Sequence, residues 1–255
     1  MDNLVDSHAH LDMLDDPGRA LAAASAAGVC RIMTVGTDLE TSRQAVAFAR
    51  SRAGVSAAVG IHPHNAAAAG SDSMKQLEEI ARSAAVYAIG ETGLDYYRDR
   101  SPRDVQKEAF SRQIELARRC NLPLIVHSRD AGEDTLAILA AEADGLTVVL
   151  HCFSLYRHVD RCAESGYFMS IAGNVTFGNA ADLRQASALI PTDLLLTETD
   201  APFLTPVPHR GKENSPVHIP LILAELAAIR GASPGDLADN IHRNFTNVFG
   251  SPQVI

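Results

Sequence analysis

Cysteine is sparse: four residues, at 30, 120, 152 and 162, with no CxxC spacing among them. Such a chain needs no disulfide framework, and a reducing compartment, the cytoplasm, is the expected location. The opening residues MDNLVDSHAH lack the basic and then apolar stretches of a signal peptide. The longest run of small residues, 20–29, is about half the length that a membrane span requires. Neither a leader nor a membrane segment is expected. Lysine is scarcer still, found only at 75, 107 and 212. No Pro/Gly/Ser-rich or low-complexity linker interrupts the chain, which favours one domain over residues 1–255 rather than two.

What is present is an apolar fraction of 46% against 21% charged, enough for a sizeable core without staples. The net charge of −9 disfavours indiscriminate adhesion to nucleic acid. It does not exclude a polyanionic substrate, because bound cations would be the largest local charges at a site.

Short runs rich in Val, Ile and Leu alternate with longer segments of helical spacing. They cover 4–10, 31–37, 56–62, 86–92, 122–128, 147–153, 167–173 and 194–200. Eight such units in about 250 residues predict an α/β chain and, within that class, a (β/α)8 TIM barrel. Helices are expected between the runs and after the last. One covers 101–120, with Ser101 as its cap and Pro102 at its first position. The long irregular, proline-rich stretch 201–216 follows the eighth run, where loops of that length are usually functional.

The runs end in polar groups: Asp6, His8 and His10, then His62, Glu91, His127, His151, and Glu198 with Asp200. In a parallel barrel these ends share one face, the face that carries active sites. His8 and His10, two apart on a strand, project to the same side. Alone, that pair reads more readily as capping or core hydrogen bonding than as ligation. Joined by Glu91, His127, His151 and Asp200 at other strand ends, it reads as a metal site, since buried carboxylates must be paired or coordinate cations. Four histidines with two carboxylates suit Zn, Mn, Co or Ni better than Ca, with Mg open for a phosphate substrate.

These residues lie in DSHAHLD (6–12), GIHPH (60–64), IGETGLDYY (89–97), PLIVHSRDA (123–131), HCFS (151–154), LLTETDAPFLTP (195–206) and RGKENSP (210–216). In that order, over nearly the whole chain, they resemble the TatD-like metal-dependent deoxyribonucleases of the amidohydrolase superfamily. The resemblance implies two divalent cations per chain. His8, His10 and Asp200 would hold the first, His127 and His151 the second, and Glu91 would bridge them. A carboxylated lysine, the bridge in many two-metal relatives, is not available, because no lysine falls in a strand run. Leu155 stands where the family usually has Gly after HCFS, a departure that would reshape the substrate mouth.

A pair of cations activates water and stabilises the attacking and leaving oxygens of a displacement, so hydrolysis is the expected reaction class. The resemblance implies a 3′–5′ exonuclease acting on single-stranded DNA, or RNA, with Asp200 and Glu91 as catalytic residues and a role in DNA repair. It favours His62 as a substrate contact; by spacing alone, His62 and His64 are equal claimants. Arg210 and Lys212 are expected on substrate phosphates, Arg129 less so. Tyr96 and Tyr97 offer a base-stacking surface, though at least one is expected to pack. Glu198 is either a partner orienting a metal-bound His or a solvated strand-end carboxylate, and Cys152 is expected to face the core. No obligate protein partner is evident. Two rivals stay open: an amidase, lactonase or phosphotriesterase using the same metals, and a non-catalytic metal-binding protein.

Overall fold

The computed structural model describes residues 3–250. Along the chain come β1 (Leu4–Ala9), α1 (Pro17–Ala26), β2 (Val29–Val35), α2 (Leu39–Ser51), β3 (Val55–Val59), α3 (Ser71–Ala81), β4 (Val86–Asp95), α4 (Arg103–Cys120) and β5 (Leu124–Arg129). They are followed by α5 (Gly132–Glu142), β6 (Val148–Leu150), α6 (Val159–Glu164), β7 (Phe168–Ile171), α7 (Ala181–Leu189), β8 (Leu195–Thr197), α8 (Ile219–Arg230) and α9 (Pro234–Phe249). Strand order is sequential from β1 to β8. Among the described residues, no helix is long and apolar enough to cross a membrane. The chain divides into two compact units, one of 1–34 with 152–255 and the other of 35–151.

In the first unit β1 pairs with β2 and β7 with β8, all parallel. A parallel bridge from Ala9 to Ala201 joins β1 to the chain leaving β8. Every residue of β1 is buried, as expected of a parallel strand covered on both faces. α9 presents Leu237, Ile241, Phe245 and Phe249 as one buried stripe. Its start is fixed by Ser233, which accepts the Asp236 N–H, and by Pro234 in the first turn.

In the second unit β3, β4, β5 and β6 pair in parallel succession. α2 begins in a reciprocal capping box between Asp38 and Thr41. α4 buries two glutamines beside its apolar residues. The Gln113 amide group donates to the Ile61 carbonyl (2.9 Å) and the Thr92 hydroxyl (2.8 Å), and its oxygen accepts the Ile61 N–H (2.7 Å). Gln106 accepts the Asp95 N–H at 2.8 Å and donates to the Ser101 carbonyl at 2.7 Å.

The strands depart from the predicted runs at their ends. β6 and β8 stop three residues short of the runs' limits, because the chain leaves the ladder toward Cys152 (φ 42°) and Asp200 (φ 53°), which take left-handed conformations. β4 instead continues three residues past its run, to Asp95. α4 starts at Arg103, with Pro102 as the flanking residue and no side-chain cap. Ser101 is not the cap: its hydroxyl donates to the His64 carbonyl at 3.1 Å.

Candidate metal centre

Within the first unit, β1 aims His8 and His10 the same way, with their Nε2 atoms 3.3 Å apart. Asp200 Oδ1 lies 3.7 Å from His10 Nε2 and 4.0 Å from His8 Nε2. The Asp200 backbone is fixed from two sides. Its N–H donates to the His8 carbonyl (2.9 Å), and its own carbonyl accepts the Phe203 N–H (2.8 Å). Preceding it, Thr199 gives its N–H (2.9 Å) and hydroxyl (2.6 Å) to the buried Asp6 carboxylate, which also accepts the His8 N–H at 3.2 Å. Burial pushes the Asp6 carboxyl up to about 7, against the hydrogen bonds from Thr199 and His8 and with the help of the nearby Glu198 charge. Asp6 thus joins the strand carrying the two histidines to the segment carrying Asp200. Farther along, Asn214 donates to the carbonyls of Thr199 (2.8 Å) and Phe203 (2.6 Å), stitching the long loop back to its own start.

Within the second unit, Glu91 is the hub. Its Oε1 lies 2.8 Å from His127 Nδ1, 3.0 Å from His151 Nε2 and 3.5 Å from His62 Nε2. Burial alone would raise its carboxyl, but electrostatic attraction by His151 and His62 and the hydrogen bonds from His127 and His151 hold it well below the usual glutamate range. His62 has its Nδ1 occupied as acceptor of the His64 N–H at 3.0 Å. The neutral ring therefore carries its proton on Nε2, which makes that atom a donor facing the cluster rather than a lone pair for a metal.

His127 turns its other nitrogen, Nε2, to Asp95 Oδ2 at 3.3 Å. A carboxylate behind a ligating imidazole fixes its tautomer and orientation. The same oxygen is 2.9 Å from His64 Nε2. Against burial, the hydrogen bonds from His127, from the Arg98 N–H and from His64 keep the Asp95 carboxyl far below its ordinary range. Asp95 escaped the sequence reading, although Glu91, Gly93 and Asp95 alternate on one strand face, the same period that singled out His8 and His10.

The donor sets fit divalent transition metals. A zinc–nitrogen bond of about 2.0–2.1 Å at a tetrahedral centre separates its ligand atoms by about 3.3 Å, close to the spacing found within each group.

Close approach to His127 depends on Gly93, where φ is +125° and an added Cβ would press on the His127 carbonyl oxygen. Gly93→Ala is expected to destabilise the protein by roughly 2 kcal/mol or more and to weaken metal binding by displacing His127. Thermal unfolding with and without chelator checks this; an unchanged melting temperature would count against it.

The remaining predicted residues are found in varied surroundings. Glu198 is fully buried and accepts the Cys152 N–H at 2.9 Å, so it is not a solvated carboxylate. The Arg210 guanidinium lies over the Phe177 ring, 3.7 Å from its centroid, and donates to the Thr205 carbonyl; Arg210 and Lys212 are both exposed. Tyr96 is tied by its hydroxyl to Asp134 at 2.6 Å; Tyr97 stands out in solvent. Leu155 is buried.

Imidazole and carboxylate donors gathered at the ends of sequentially ordered parallel strands mark a metal-dependent hydrolase, and the fold is the (β/α)8 barrel. The TatD related DNase family model matches residues 5–250, and the chain belongs to that family. It is 38% identical over 251 residues to the uncharacterized metal-dependent hydrolase YabD of Bacillus subtilis, covering 96% of this chain and 98% of that one. It is 37% identical to the 3′-5′ ssDNA/RNA exonuclease TatD of Cronobacter sakazakii, covering 92% of each. The crystal structure of YjjV, a TatD homologue from Escherichia coli K12, superposes with a TM-score of 0.93 at 29% identity, covering 98% of this chain and 99% of that one.

Proposed function

We propose that this chain removes nucleotides from the 3′ end of single-stranded DNA or RNA by metal-assisted hydrolysis of the terminal phosphodiester, in the cytoplasm. The observation that carries the reading is the buried Glu91 carboxylate, ionised and shared by His127, His151 and His62. The exonuclease name of a relative 37% identical over nearly the full length supports the substrate class. His8, His10 and Asp200 would hold one divalent cation and His127 and His151 another, with Glu91 between them. When bound, such ions supply charge that polarises the phosphoryl group and lowers the pKa of water. Asp200 then accepts the proton of the attacking water on its carboxylate, and His62 donates from Nε2 to a phosphate oxygen.

The deciding experiment measures release of mononucleotides from end-labelled single strands by the metal-loaded chain, beside a panel of carboxyl esters, amides, lactones and phosphotriesters. Turnover confined to the small-molecule panel would overturn the nuclease reading. Arg210 and Lys212, in the loop after β8, would meet substrate phosphates. Arg210→Ala and Lys212→Ala are expected to raise KM for oligonucleotides and to lower its salt dependence by about one counterion each, with metal content intact. An unchanged salt slope in both variants would return them to ordinary surface.

A further inference from the structure

In the second unit the loop after β4 and the end of β5 carry three exposed arginines, Arg98, Arg100 and Arg129. Several basic side chains of that unit meet carboxylates: Arg112 lies 2.6 Å from Glu108, Arg119 3.0 Å from Glu78 and Lys107 2.7 Å from Asp134. In a chain of net charge −9 that is the expected outcome. Arg98, Arg100 and Arg129 are exposed, and among the described residues no carboxylate lies within ion-pair distance of them. Asp99, between two of them, is engaged by Arg103 at 3.4 Å. Asp130, beside the third, makes no ion pair with it.

Among these cations stands Tyr97, whose surface is 58% exposed. The Arg129 guanidinium lies 4.0 Å from its ring centroid and that of Arg98 lies 5.6 Å away. A guanidinium stacked on a ring keeps its N–H donors in its own plane, open to an anion. The backbone beneath is rigidly held. Asp95 Oδ1 accepts the N–H of Tyr97 (3.0 Å) and of Arg98 (2.7 Å), and the Tyr96 N–H donates to the Arg129 carbonyl (2.9 Å). The other oxygen of the same carboxylate faces His127 and His64. A large aromatic ring displayed to water on a fixed backbone, flanked by unpaired planar cations, has the composition of a single-strand stacking platform.

We infer that Tyr97 and Arg129, flanked by Arg98 and Arg100, form the track that holds the nucleotides next to the scissile one. A base stacks on the Tyr97–Arg129 pair, and the guanidinium takes its phosphate. Asp95 places this track relative to His127. The inference rests on the nuclease reading and adds a binding surface to it.

The test uses the metal-loaded full chain with a 5′-labelled ten-residue oligothymidylate at several salt concentrations. Tyr97→Ala is expected to raise KM about tenfold, the order of losing one stacked base, with kcat within about twofold. Tyr97→Phe, which keeps the ring, should restore KM. Arg129→Ala should lower the salt slope of KM by about one, while Arg50→Ala, a cation on α2, should not change it. Wild-type KM and salt slope in both Tyr97→Ala and Arg129→Ala, alongside vigorous wild-type cleavage, would overturn the track alone. Failure of the wild-type chain to cleave the oligonucleotide at all would overturn the nuclease reading and the track with it.

Discussion

Asp200→Asn is expected to lower kcat on a single-stranded oligonucleotide by about two to four powers of ten, the usual size of a general-base contribution. Asparagine retains the shape of the side chain and is, with aspartate, among the residues that best tolerate the left-handed backbone found there. The anchors around it are backbone groups, the His8 carbonyl and the Phe203 N–H, together with Thr199 on Asp6, so the substitution leaves the local fold in place. What disappears is the negative charge beside the His8 and His10 nitrogens and the ability to accept a proton. Turnover recovered at saturating metal would mean that Asp200 serves only as a ligand. Persistent inactivity with a filled site and normal oligonucleotide binding supports the base.

Glu91→Ala should be the more damaging change. As the proposed bridge it serves both cations, so metal content is expected to fall at both positions, by at least about 100-fold in affinity, beyond the loss typical of groups that merely support ligands. His8→Ala should empty mainly one. Elemental analysis after dialysis separates the two variants, and full retention of two metals in Glu91→Ala would refute the bridge. The substitution also acts on the metal-free protein, because His127, His151 and His62 lose their common acceptor. Since the folded protein holds this carboxyl below its unfolded pKa, its stabilisation is fully present above the ordinary glutamate range of about 4.3 and is lost as acid carries the pH down through the folded value. The wild-type chain without metal should therefore lose stability on acidification more steeply than Glu91→Ala.

The residues of the candidate site were legible in the sequence because period-two spacing and strand-end position are properties of the chain itself. His8, His10, Glu91, His127, His151 and Asp200 all end apolar runs. The supporting groups were harder to read. Asp95 lay beyond the end of its apolar run at 92, whereas hydrogen bonding extends β4 to that residue. Gln106 and Gln113 carry no signal, because a glutamine on a helix is ordinarily a surface residue, and only the ends of β3 and β4 reveal what they bind. Nor did sequence distinguish Tyr96 from Tyr97. Neighbours on a chain leaving a strand diverge, and the Asp134 partner that captures Tyr96 lies on α5.

Both buried glutamines sit on α4, about two turns apart, and between them they clasp Ile61, Thr92 and Asp95. The neighbours of Glu91 and His62 are therefore latched to a single cylinder rather than each to its own loop. In hydrogen-exchange experiments the amides of Ile61 and Asp95 should open with the α4 ladder as one cooperative unit, well after the exposed loop tips. Local breathing there cannot release one of these groups and spare the others.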